Sequence, residues 1–213
     1  MKKPSGRAPR RPTNRRARRH VIRVFTEGKV TEPPIPHSAR PPTSQHRYPQ
    51  PAHQSAGSTP LTLVERARRE QRTNRKHSKA AGPDFDEIWC VFDTDEHPNL
   101  EQAVQEARDS GINIAVSNLC FELWLILHQE QWTAPMHRYE IQRRSRQIGL
   151  TDGKSICGGK AEDQLMAAIP TAIKRAQDLD ARHETNGSPP RSNPSSGVWR
   201  LATSFGERLI SAG

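Results

Sequence analysis

The stretch IWCVFDTDEHPNLEQAVQEARDSGINIAVSN, residues 88–118, decides how this chain folds. Residues 88–92 are apolar on both faces of an extended strand, which suits the interior of a parallel sheet. Pro98 then opens a helix. In it Leu100, Ala103, Val104 and Ala107 repeat at i, i+3, i+4 and i+7, the stripe of a helix that covers a sheet. Gly111 ends that helix, and INIAV, 112–116, is a second strand. Strand, helix and strand at this spacing predict a βαβ unit.

Outward from this unit, VIRVF at 21–25 reads as another short strand. Residues 33–60 carry eight prolines and no acidic residue, show no helix or strand period, and read as a long loop. A helix starts near Leu61, capped by Thr59 with Pro60 in its first turn, and carries little apolar stripe beyond Leu61, Val64 and Ala67. Ser117 or Asn118 is expected to cap the helix of 117–129, with Phe121, Trp124, Leu125 and His128 on one face. Residues 138–150 are basic and weakly patterned, and 152–159 are a glycine-rich turn region. A helix over 161–182 contains Pro170, which kinks or splits it. Residues 188–197 read as a loop in which Asn193, Ser195 and Ser196 can cap a last helix at 198–210. The expected fold class is α/β, a compact, mostly parallel sheet flanked by helices. It divides into a basic tail at 1–20 and one domain at 21–210, interrupted by the Pro-rich loop 33–60.

Of 213 residues, 32% are hydrophobic, thin for a chain that buries all of itself. The formal net charge is +10, and residues 1–20 hold nine Lys or Arg and no acid. Such a tail is either solvated or meets phosphate, and charge alone reads no sequence. Three cysteines, far apart, make no disulfide framework, so a cytoplasmic location is expected. No apolar run is long enough to span a membrane.

Asp93 and Asp95 stand just past the carboxyl end of the 88–92 strand, the edge at which open α/β sheets bind ligands. Two carboxylates at close range repel unless a cation sits between them, and Mg²⁺ with oxygen ligands answers that need. The same residues also suit a strand leaving its sheet for solvent. Glu27 follows the 21–25 strand beside Gly28. If the two strands are neighbours, Glu27 joins the pair, while Lys29 and Thr31 could touch phosphate. Glu122 lies in an apolar helix and needs a partner there, either a metal or an Arg or Lys. His128 reads best as a satisfied core histidine. Cys90, Cys120 and Trp89 read as core. Lys154 and Lys160 flank a Gly-rich stretch that lacks the order of a Walker motif, but either lysine could neutralise phosphate.

FTEGKVTEP (25–33), WCVFDTDEH (89–97), IAVSN (114–118), CFELWLILH (120–128) and NPSSGVWRL (193–201) together resemble the RloB-like family. That family resembles Toprim-fold proteins, a compact βα sheet shared by primases, topoisomerases and a class of nucleases. Its members are associated with restriction or phage-defence clusters and an ATPase encoded nearby. The resemblance implies that Glu27 is the Toprim glutamate and that Asp93 and Asp95 are the paired aspartates. It puts Glu122 and His128 on the family's helical block and Lys154 near a family lysine. The chain departs from the family at Lys29-Val30, across 33–60 and at 155–159.

The activity expected is therefore a nuclease in phage defence: phosphodiester hydrolysis dependent on Mg²⁺ (or Mn²⁺), with Glu27, Asp93, Asp95 and Glu122 as metal ligands and Lys154 beside them. The partners expected are nucleic acid, DNA or RNA, and the ATPase. A homodimer is admitted and a membrane is not. The rival expectations are a catalytically weak or inactive effector of the ATPase, and a plain nucleic-acid-binding protein driven by the tail.

Overall fold

A strand that is apolar on both faces needs cover on both, and the chain supplies a layer of helices to each. The computed structural model describes residues 20–27, 59–94, 97–153 and 155–210. The basic tail at 1–19, nearly all of the Pro-rich stretch, Gly28, Lys29, Thr31, Asp95, Glu96 and Lys154 lie outside the described residues.

In chain order the first elements are β1 (Ile22–Thr26), α1 (Pro60–Ala81), β2 (Glu87–Asp93), α2 (Leu100–Ser110), β3 (Asn113–Asn118) and α3 (Glu122–Gln129). There follow α4 (Arg138–Gln147), β4 (Thr151–Asp152), β5 (Ser155–Ile156), α5 (Lys160–Ala167), α6 (Ile169–Thr185), β6 (Ser195–Ser196) and α7 (Val198–Ile210). The main sheet has four strands in the order β1-β2-β3-β6. The first three run parallel, with Thr26 opposite Val91 and Asp93 opposite Ser117. β6 closes the edge antiparallel to β3, and β4 and β5 form a separate hairpin. The mixed α/β sheet flanked by helices is thus the fold expected. Among the described residues no helix is long and apolar enough to cross a membrane.

Alternation along the strands sorts the core into two layers. Phe25, Ile88, Cys90, Phe92 and Val116 face α1 and α2, packing on Leu63, Val64, Ala67, Ala103, Val104 and Ala107. Val24, Trp89, Val91 and Ala115 face the other way, into the layer built by α3, α6 and α7. Burial pushes the Cys90 thiol up to about 12, so it stays a protonated apolar group.

Thr59 caps α1 as expected, its Oγ1 accepting from the Thr62 N–H at 3.3 Å. The stripe of α1 differs in one place, because Leu63 is fully buried and Leu61 only partly. Gly111 ends α2 in the left-handed conformation (φ 65°) that glycine adopts without strain. Pro170 splits the long helix of 161–182. It takes the second position of α6, where its missing N–H removes no helical bond.

Two expectations fail. Ser117 and Asn118 do not cap α3. They extend β3, where the Ser117 hydroxyl meets that of Ser196 at 3.2 Å and Asn118 Nδ2 donates to Arg191 O at 2.7 Å. Ser195 and Ser196 are accordingly a buried edge strand and not the cap of α7. The weakly patterned 138–150 contains α4, started where Glu140 accepts the His137 N–H at 3.0 Å.

Candidate active site

Parallel strands expose their carboxyl ends at one edge, and here three such ends lie side by side. Glu27 follows β1, Asp93 ends β2, and Ser117 and Asn118 end β3. The neighbouring strands that the sequence required are therefore present, and Glu27 and Asp93 share one lip of the sheet. Strand spacing of about 5 Å sets the scale of that approach. Alternation puts Asp93 on the face of Trp89 and Val91, towards α3 and α4. Glu27 stands at a bend beyond β1, where alternation no longer fixes direction, and one of its carboxylate oxygens is buried.

α3 brings the next group. Its residues 122–128 are all buried, since α3 packs against α4, α5 and α6 and the edge of the sheet. Phe121, Trp124, Leu125 and His128, expected on one face, are all buried, and so are the others of 122–128: a helix apolar nearly all round is a core helix. Glu122, 9% exposed, is the charged exception at its first turn. The Glu122 and Asp93 charges both act on the Cys120 thiol. Burial, then these two carboxylates, raise the Cys120 pKa well above its ordinary value, while the Arg138 charge pulls it down. Cys120 is therefore core, as expected, and also marks the point where Asp93, Glu122 and Arg138 converge.

Arg138 opens α4 and was not singled out by the sequence. Its Nη2 lies 3.3 Å from Asp93 Oδ2 and 3.3 Å from the Leu119 carbonyl. Both side chains of the ion pair are partly exposed, at 34% and 25%. Nothing in a basic stretch marks one arginine among several. The one usable signal was Glu140, three residues after His137, which opens the helix and so fixes where Arg138 stands.

His128 is a core histidine as expected, but only half satisfied, since its Nε2 is buried without a hydrogen-bond partner among the described residues. Its Nδ1 donates to the Trp124 carbonyl at 2.9 Å, and its ring meets Trp124 edge to face at 4.8 Å. Burial lowers its pKa to about 4, against the support of that hydrogen bond, so it is neutral near pH 7.

At the opposite edge of the sheet lies a cleft of about 500 Å³ between α1 and the starts of β2 and β3. Several of its polar groups are already engaged. Asn74 clamps the loop before β2 through Phe85 O and the Asp84 N–H. Glu87 accepts from His20, Trp89 and Ser204. The cleft is a seam of the fold, distant from the carboxylate lip.

The donors at that lip are hard carboxylate oxygens, the chemistry Mg²⁺ and Mn²⁺ take. Among the described residues no group of three or more His, Cys, Asp or Glu is placed to hold a metal ion. Asp95 and Lys154 of the expected set lie outside those residues. The described carboxylates thus fit a divalent ion in kind and supply part of a ligand set.

Neither a curated protein nor a solved structure matches this chain. The pattern that defines RloB-like proteins matches residues 22–204, a span that takes in β1, the whole βα sheet, Asp93, Glu122 and Arg138. The chain belongs to the RloB-like protein family.

Proposed function

We propose that this chain is a divalent-metal-dependent phosphodiesterase acting on nucleic acid, in the Toprim-related manner that the sequence resemblance implies. The observation that carries the reading is the pairing of β1 and β2, whose carboxyl ends bring Glu27 and Asp93 to one lip of a parallel sheet, with the nearly buried Glu122 opening α3 beside that sheet. Carboxylates gathered at a sheet edge cost free energy unless a cation compensates them. Glu27, Asp93, Asp95 and Glu122 would hold Mg²⁺ or Mn²⁺. Such an ion, when bound, polarises a phosphate and lowers the pKa of attacking water. The chain's own residues then have separable tasks. Glu122 is held by the buried first turn of α3, the guanidinium of Arg138 offers charge to a phosphate oxygen, and Lys154 adds a second positive group. The basic residues of 1–20 supply backbone affinity without reading sequence. The setting that goes with this reading is cytoplasmic phage defence beside an ATPase.

A second reading has one observation in its favour. Arg138 already balances Asp93, which is where a metal would bind. A protein held in this form is an inactive effector until a partner, such as the ATPase, moves α4.

Purified chain incubated with RNA, single-stranded DNA and duplex DNA, with Mg²⁺ or Mn²⁺ and with or without the neighbouring ATPase, separates the two. Cleavage by the chain alone that Asp93→Asn abolishes supports the enzyme. Cleavage only with the ATPase supports the held form. An Asp93→Asn variant that cleaves as fast as the wild type overturns both.

A further inference from the structure

Aromatic side chains are costly to leave in water, and among the described residues Tyr139 is the large hydrophobic side chain left exposed, at 82%. It stands on α4, next in sequence to Arg138, whose guanidinium pairs with Asp93. The helix period explains its exposure. Ile141 and Ser145 are fully buried on the inner face of α4, and Ile148, just past its end, packs with them. At about 100° per residue, Tyr139, Arg143 and Arg146 fall within about 60° of one another on the opposite face. Arg143 and Arg146 are exposed. The other two arginines of this helix are paired, Arg138 with Asp93 and Arg144 with Glu130. The acid in the first turn, Glu140, is occupied by the His137 N–H. The outward face of α4 is thus one aromatic ring followed by two arginines, about 10 Å from first to last.

We infer that this face is a platform for single-stranded nucleic acid, with Tyr139 stacking on an unpaired base and Arg143 and Arg146 meeting the phosphates on either side. A stacking ring and a row of positive charge are the two parts that single-strand binding needs. A duplex offers no free base face, so the ring adds nothing to duplex affinity. An acidic protein surface would use the arginines and would not need a flat ring presented edge-free to solvent. The inference deepens the proposed function, naming an unpaired strand as its substrate class, and rests on it for the direction of the strand towards Asp93. Its test does not rest on it, because binding is measured in EDTA, without catalysis.

The full chain is titrated into fluorescein-labelled single-stranded RNA, single-stranded DNA and a duplex of the same sequence, with anisotropy as the readout. Tyr139→Ala should weaken both single strands about 10-fold and leave the duplex unchanged, while Tyr139→Phe stays within about 2-fold of wild type. Arg143→Ala with Arg146→Ala should flatten the dependence of log K on log salt for a single strand by about 1.4, which Tyr139→Ala leaves alone. RNA weaker or stronger than DNA assigns the sugar and supports the platform either way. The inference is overturned if Tyr139→Ala binds single strands like the wild type, if it weakens duplex and single strand equally, or if its chief effect is on self-association in sedimentation. The failure of Asp93→Asn to alter cleavage would remove the enzyme reading and leave these affinities untouched.

Discussion

Arg138→Ala should bind Mn²⁺ more tightly than the wild type. The guanidinium lies 3.3 Å from the Asp93 carboxylate, so any ion taken by that carboxylate is within a few ångströms of it. A divalent ion and a unit charge about 5 Å apart repel by about 1.7 kcal/mol in a water-like dielectric, the appropriate limit for side chains this exposed. At 0.1 M ionic strength, with a Debye length of about 10 Å, screening leaves about 1 kcal/mol. The ion pair itself, which the metal must displace, adds at most about 1 kcal/mol more. Together these amount to between about 5-fold and 30-fold in Kd. Titration calorimetry of the full chain with MnCl₂ measures it directly. Arg138→Lys keeps the charge and should stay near the wild type, and Asp93→Asn should lose the site. The reasoning fails if Arg138→Ala, with unchanged circular dichroism, binds no tighter than the wild type, or if Lys and Ala variants tighten alike.

Two further outcomes concern stability. His128 has its pKa lowered by burial to about 4, against an ordinary value of 6.5. The unfolded state therefore binds the extra proton first as pH falls, so stability held above pH 6.5 declines towards pH 4. Replacing His128 by Gln should flatten the urea midpoint across that window, and an unchanged slope would refute the buried neutral ring. Gly197→Ala would bring a Cβ to 3.0 Å from Val116 N and 3.2 Å from Val116 O, both backbone of β3. Strand backbone has little room to yield, so urea denaturation should show a loss of about 1–3 kcal/mol. An unchanged midpoint there means that β6 can move away from β3.

The parallel core was legible because its signals are local. An apolar run in β2, a 3.6-residue stripe in α2 and glycine at position 111 point to a βαβ unit of β2 and β3, while the place of β1 beside β2 was a condition that the pairing meets. What could not be read depends on pairing across long separations. Ser195 and Ser196 look like a helix cap until Ser117 and Asn118, 79 and 77 residues earlier in the chain, are seen to need an antiparallel partner. α3 was legible only in part. A helix enclosed on all sides has no single stripe, so the face of Phe121, Trp124, Leu125 and His128 left Leu123, Ile126 and Leu127 unplaced, and each is fully buried. At the site, the sequence supplied the acids and missed the base. Acids at strand ends carry a positional signal, whereas Arg138 is one of several arginines in a polar stretch, distinguished by where α4 begins.

That missed arginine bears on how the carboxylates coexist. Glu122 is nearly buried, and at the Cys120 thiol its charge and that of Asp93 act against that of Arg138. Arg138 serves Asp93 through a contact that is a third exposed and thus weak enough to be exchanged. A buried, geometrically locked pair would have fixed α4 to the sheet and closed the lip. A weak one leaves Asp93 able to trade the guanidinium for a metal, and leaves Arg138, on release, able to turn to a phosphate. The active and held readings then differ by one side-chain movement at the start of α4, and the Mn²⁺ affinities of Arg138→Ala and Arg138→Lys measure the free energy of that exchange.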